Sequence, residues 1–442
     1  MTKALYPSAE SESCALFKRA QKVIAGGATR DTVYFAPYPL YAKSGQGARF
    51  VDEDGVERID FTNSLSSGIH GHCHPDIVEA ISAQAKELIG VSLPTKPEIQ
   101  LAEILVDRIP AFEQIRFTNS GTEAVMLAVK AARAYTEKAK IAKVEGTYHG
   151  SLDLAEVSQN ASPANWGPLD KPKSVATASG TPKAVLNDSV IIPFNDLARS
   201  IAILEEVVDD LAAILIDLVP GFMRFLMADQ EYISGLCEWA KNRGVLIILD
   251  EVMTARGSYN GMQEVYGITP DICTVGKFVG GGMPLGVVGG RREVMQVFDS
   301  TSEHGALVPQ GGSFNGHPVS MASGIKSMQL MDKSAYDHLA LLGDRARIGL
   351  RVAMSATGVN GKVHGYGSMI GFSLVSGDYS DRRSLFELIK KEKDLMMQLS
   401  TYWFNHGVFA LPRGALLLST VMTEADIDHM VDVTHQFMLS EM

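Results

Sequence analysis

The sequence predicts an α/β protein built on a mainly parallel sheet, and three observations carry that expectation. Short, almost continuously apolar runs recur through the middle of the chain, segments of helical periodicity separate them, and Gly and Pro are spread without repeats or low-complexity tracts. "AAILIDLV" (212–219), "GVLIILD" (244–250), "DICTVG" (271–276) and "LGVVGG" (285–290) are too short for buried helices and lack the alternation of half-exposed strands. They read as strands covered on both faces. Between the first two, "ADQEYISGLCEWAKNRG" has helical spacing and stops on Gly244.

Upstream, "ARFVDEDGVERIDF" (48–61) reads as a hairpin turning at Asp54-Gly55. The C-terminal part mixes helices with short strands such as "MIGFSLV" and "ALLLSTV". These elements predict a large central domain over residues 65–320 and a smaller α+β domain assembled from both chain ends, 1–64 and 321–442. The stretch 151–187, rich in Ser, Pro, Ala and Lys, reads as a long surface excursion.

With 442 residues, 46% of them apolar, the chain can bury a large core. Its 51 acidic residues outnumber 40 basic ones for a formal charge of −11, which argues against a nucleic-acid or anionic-lipid footprint and leaves a small molecule as the expected ligand. The first residues lack the apolar core of a signal peptide, and the most apolar run, 211–227, is interrupted by Asp217, Pro220 and Arg224. A cytoplasmic protein without membrane attachment is expected. Cys14, Cys73, Cys237 and Cys273 show no CxxC spacing, which suits a reducing compartment.

Three segments carry chemistry. In "RFTNSGTEAVMLAVKAARAYT" (116–136), Ser120, Gly121 and Thr122 precede a helix whose Val125, Ala128, Val129 and Ala132 share one face. Ser120 or Thr122 caps it, and the free N–H groups of such a start suit a phosphate, although the same residues also serve as a plain cap. "ILDEVMT" (248–254) ends a strand on Asp250 and Glu251. A carboxylate buried there needs a partner, so a cation beside Asp250 is expected. Lys277 follows the next apolar run. Desolvation favours its neutral amine, the nucleophile for a Schiff base, whereas most lysines are simply solvated. The glycines after it form neither a P-loop nor a dinucleotide fingerprint, and they let the backbone run close to something. A phosphate cradle, a carboxylate for a ring cation and a lysine for an aldehyde match the three groups of pyridoxal phosphate. Tyr148 in "VEGTYHGS" adds an aromatic face for the ring.

From about Lys18 onward the chain resembles the class III aminotransferases of the fold type I pyridoxal-phosphate superfamily, on the motifs "TNSGTEA", "TYHG", "LDEVMT", "GKFVGGGMPLG" and "GGSFNGHP" in that order. The resemblance implies a seven-stranded, mainly parallel sheet in the large domain. It implies that Lys277 forms the imine with the cofactor, that Asp250 keeps the pyridine nitrogen protonated, and that Val252 packs on the ring face opposite Tyr148. Ser120, Gly121 and Thr122 would hold the phosphate, with Ser313 reaching it across a homodimer interface. Within the class the chain is similar to β-phenylalanine-type aminotransferases and glutamate-1-semialdehyde aminomutases. "GGATRDTVYFAPYPL" (26–40) resembles the former's substrate loop, which implies that Arg30, beside aromatic residues such as Tyr34, binds a carboxylate. "FALPRGALLLS" (409–419) implies the same of Arg413. The expected activity is ping-pong transfer of an amino group from a β-amino acid or other amine to a 2-oxo acid.

There are departures. Many relatives carry Glu-Pro before a residue that contacts the cofactor's ring hydroxyl, whereas this chain has Asp217-Leu218-Val219-Pro220-Gly221. Ala255-Arg256-Gly257 stands where Gly-Phe-Arg is commoner. His70, His72, Cys73 and His74 are crowded on one short loop, too close together to converge on an ion, so no metal is expected. An aminomutase, which shifts an amine within one substrate, is the nearest rival. A cofactor-binding regulator would bring a DNA-binding domain, and a nicotinamide dehydrogenase would need a clean glycine fingerprint.

Overall fold

The apolar runs become strands because both of their faces are covered. The computed structural model describes residues 5–442 and divides into two units. The smaller comprises the described residues up to Pro75 together with Asp337–Gly377 and Leu388–Met442; the larger comprises Asp76–Tyr336 with Asp378–Glu387.

In the smaller unit, β1 (Ala42–Gln46), β2 (Arg49–Asp52) and β3 (Glu57–Asp60) run antiparallel. The expected hairpin joins β2 to β3, with Gly55 at φ 75° and the Asp52 side chain accepting from the Val56 N–H at 2.7 Å.

The larger unit holds β4 (Gln114–Thr118), β5 (Lys140–Val144), β6 (Ser189–Ile192), β7 (Leu211–Ile216), β8 (Leu246–Asp250), β9 (Ile272–Gly276) and β10 (Gly286–Gly290). They form one seven-stranded sheet in the order β4-β10-β9-β8-β7-β5-β6. Only β10 runs against its neighbours. Every residue of β7, β8, β9 and β10 is buried, which explains their unbroken apolar character. The helix Gln230–Arg243 links β7 to β8 and ends on Gly244 at φ 65°, the stop read from the sequence.

The helix Gly121–Thr136 lays Ala124, Val125, Ala128 and Val129 against Ala213, Leu215, Ile248 and Val288 of the sheet. Its small residues let helix and sheet approach closely, and each fully buried Val, Leu or Ile contributes about 1.5–3 kcal/mol. In the smaller unit, β11 (Lys362–Tyr366) and β14 (Ala415–Leu417) flank β12 (Met369–Ser373), while β13 (Val408–Phe409) adds in parallel to β3.

The reading of 151–187 as surface is corrected in its first part. Leu154, Ala155, Val157 and Ala161 are buried, with Leu154 and Ala155 joining the core under the helix Gly121–Thr136. Bulk composition counted the Ser, Pro and Lys and passed over apolar residues interleaved among them. Residues 162–187 are exposed or half-buried. No helix among the described residues is long and apolar enough to cross a membrane.

Candidate active site

In a parallel sheet the strands' carboxyl ends open onto one edge, and there the backbone is free to leave the sheet and present side chains. β8 ends on Asp250, β9 is followed directly by Lys277, β7 by Asp217, and β5 by the loop carrying Thr147, Tyr148 and His149. The helix Gly121–Thr136 starts just after β4. The larger unit thereby gathers Lys277, Asp250, Ser120, Gly121, Thr122, Tyr148 and Val252 at one edge of its sheet.

Lys277 has φ 53°, a left-handed conformation that is costly for a side chain with a Cβ and that recurs at functional sites. Burial pulls its amine from the ordinary 10.5 to about 8, against the opposing pull of Asp250 and Asp217; Arg256 adds to the lowering. At about 8, roughly a tenth of the amine is neutral at pH 7 and about half at pH 8.

Asp250 is buried, and its charge is held by donors. Oδ1 accepts from the Val252 N–H at 2.9 Å and the Thr274 hydroxyl at 3.2 Å, and Oδ2 lies 2.8 Å from His149 Nδ1. In place of the cation expected beside Asp250, the partner is the His149 imidazole, which burial pushes toward its neutral form even against the hydrogen bond to Asp250. A carboxylate only accepts, so Nδ1 of the neutral ring carries the proton; Nε2 sits 2.9 Å from the Thr147 hydroxyl. Asp217 is a second buried carboxyl. Burial, then the charge of Asp250, raise it well above the usual carboxylate range, and it accepts from the Val219 N–H at 2.9 Å.

At the helix start Ser120 is the cap, its hydroxyl accepting from the Glu123 N–H at 3.2 Å. A Cβ on Gly121 would come within 2.7 Å of Val252 Cγ1, so the absence of a side chain lets Val252 pack against the helix start. The glycines after Lys277 find a similar purpose: a Cβ on Gly286 would sit 2.1 Å from the Ser120 carbonyl, so the close neighbour there is the helix entry itself. The Thr122 hydroxyl accepts from the Ser151 N–H at 3.3 Å. Tyr148 is 39% exposed, and its ring lies parallel to Phe222 with centroids 5.0 Å apart. Ser313 is exposed on a loop tied to the helix entry through the Asn119 amide, which donates to Asn315 Oδ1 at 2.8 Å.

The other predicted residues lie in the smaller unit. Arg413 is half-buried and donates from Nη2 to the Thr32 carbonyl at 2.7 Å. Burial lowers its guanidinium, and among the described residues no carboxylate pairs with it. Arg30 and Tyr34 are exposed, Tyr34 against Phe17 at 5.9 Å. The histidine loop is occupied with its own unit: His72 pairs with Asp60 at 3.1 Å and His70 with Thr420 at 3.3 Å.

Reasoning from the sequence passed over His149, Thr147, Thr274 and Phe222. His149 had a signal, its place beside Tyr148 in "TYHG". Thr274 faces Asp250 only because β8 and β9 pair in register.

The family pattern "Aminotransferase class-III" matches residues 33–437. An omega-transaminase structure from Sphaerobacter thermophilus is 41% identical, with TM-score 0.94 over 98% of each chain. A β-phenylalanine aminotransferase from Variovorax paradoxus is 30% identical, with TM-score 0.85 over 96% of this chain and 93% of that one. A glutamate-1-semialdehyde 2,1-aminomutase of Persephonella marina is 35% identical over 421 residues, 93% of this chain and 95% of that protein.

Proposed function

We propose, from the premise that the chain belongs to the class III aminotransferases and is a pyridoxal-phosphate enzyme, that it moves an amino group from a carboxylate-bearing amine, a β-amino acid foremost, to a 2-oxo acid. The residues at the sheet edge fit the cofactor: a buried amine whose pKa burial lowers to about 8, a carboxylate acceptor fixed by three donors, and a helix start with a glycine where a side chain would intrude. The chemistry that bound pyridoxal phosphate supplies is an aldehyde and an electron-withdrawing ring.

Lys277 Nζ is the nucleophile for that aldehyde. The neutral Nζ would also be the base that moves a proton to and from the substrate carbon. Asp250, its oxygens held by His149 and Thr274, would accept from the ring N–H and keep that proton in place. Ser120, Gly121 and Thr122 would take the phosphate at the positive end of their helix, Val252 and Tyr148 would bound the ring, and Ser313 would serve a second copy's phosphate.

The observation that carries the substrate class is Arg413, a half-buried guanidinium whose Nη2 donates to a carbonyl, with no acid paired to it among the described residues. A fork of that kind gains most from a ligand carboxylate, and Arg30 offers a second one at the surface. The exposed Leu307 and Phe314 flank Ser313 in sequence and fit coverage by a second copy in a homodimer. The four cysteines are free, which suits a reducing, cytoplasmic setting.

The test is a panel of α-, β- and ω-amino acids and carboxylate-free amines, each with and without pyruvate or 2-oxoglutarate. Product from the acids only when an acceptor is present is expected. Product without an acceptor supports the second reading, favoured by the aminomutase relatives, in which the amine moves within one substrate. A response confined to carboxylate-free amines removes the roles given to Arg30 and Arg413.

A further inference from the structure

The loop after β5 carries the Tyr148 ring and the His149 imidazole, and besides its local hydrogen bonds it is anchored by a residue from far along the chain. Glu145, buried at the start of that loop, receives a two-pronged ion pair from Arg383: Nε at 2.7 Å from Oε2 and Nη2 at 3.1 Å from Oε1. Two further donors of Arg383 reach carbonyls, Nη1 to Gly167 at 2.8 Å and Nη2 to Trp166 at 3.3 Å. Its guanidinium lies 4.9 Å from the centre of the Trp166 ring. The stem of the adjacent Arg382 occupies the space that a Cβ on Gly146 would fill. Although helix Arg382–Asn405 belongs to the smaller unit from Leu388 onward, its first turns group with the larger unit, where this loop lies.

We propose that Arg383 is a positioning residue for the cofactor site: through Glu145 it fixes the loop that presents Tyr148 and His149. The inference rests on the cofactor reading above. Neither Arg383 nor Glu145 touches the reacting atoms, so their effect is on how tightly and in what asymmetric surroundings the cofactor is held. The ion pair, with four donor contacts of which two go to carbonyls, adds a long-range fastening to the loop's local hydrogen bonds, Lys143 Nζ to the Thr147 carbonyl at 3.1 Å and the Thr147 hydroxyl to the Val144 carbonyl at 2.7 Å.

The test uses the full-length chain stripped of cofactor, then titrated with pyridoxal phosphate, following protein fluorescence for the Kd and visible circular dichroism for the setting of the bound ring. Arg383→Met and Glu145→Gln are each expected to raise the Kd about tenfold or more and to diminish the visible dichroism at saturation. Arg383→Lys, which keeps the charge and loses the fork, should fall between them and the wild type. If Arg383→Met does not fold, Glu145→Gln and Arg383→Lys decide alone. A lowered melting temperature with unchanged Kd and dichroism would show a purely structural ion pair and overturn the proposal. Failure of the unaltered protein to bind pyridoxal phosphate would instead overturn the cofactor reading.

Discussion

Lys277 provides the sharpest quantitative test, because its environment sets its chemistry before any cofactor arrives. An amine at its ordinary 10.5 is neutral in about one molecule in three hundred at pH 8; at about 8 it is neutral in about half. At roughly 1.4 kcal/mol per pH unit the difference is about 3 kcal/mol in favour of the neutral form. The sign for stability is then fixed. Between about 8 and 10.5 the unfolded chain binds a proton that the folded chain does not, so the cofactor-free fold loses stability as pH falls through that window and bears the full cost below it. Competitive labelling with acetic anhydride from pH 6 to 11, with mass spectrometry of the peptide spanning Lys277, should give a midpoint near 8. The Asp250 carboxylate opposes the lowering, so Asp250→Asn should move the midpoint further down. A midpoint near 10 in the wild type, or an upward move in Asp250→Asn, would refute the reasoning.

Three substitutions test the rest of the site. Lys277→Ala removes the nucleophile and the proton carrier, so turnover should fall by at least about a thousandfold, measured as product formation; circular dichroism should show the fold retained. Gly121→Ala places a methyl where only 2.7 Å separates it from Val252, and the cofactor Kd should rise roughly tenfold by fluorescence titration, an effect on the order of 1.4 kcal/mol. Arg413→Ala should lower kcat/KM for carboxylate substrates by at least about thirtyfold, the lower range for losing one partner of a buried charge pair. Donation by an amine without a carboxylate should stay within a factor of about two, and equal losses for both classes would remove Arg413 from carboxylate recognition.

Much of this protein was legible before any coordinates. Burial on both faces writes itself into sequence as unbroken apolar runs, so β7 to β10 and the helix Gln230–Arg243 could be found from composition and spacing. Lys277 and Asp250 stood out as charges at the ends of such runs, where a charge is expensive unless it is used. The cap at Ser120 was legible too, because capping depends on residues three apart. Contacts between distant segments were not. That Asp250 is held by an imidazole 101 positions away, that burial and Asp250 raise the pKa of Asp217, and that Arg383 fastens the Tyr148 loop from 238 positions beyond Glu145 all follow from strand order and helix docking. A local pattern records which face of an element is covered. It holds no record of what covers it, and partners, pKa shifts and the fit of Gly121 to Val252 depend on that.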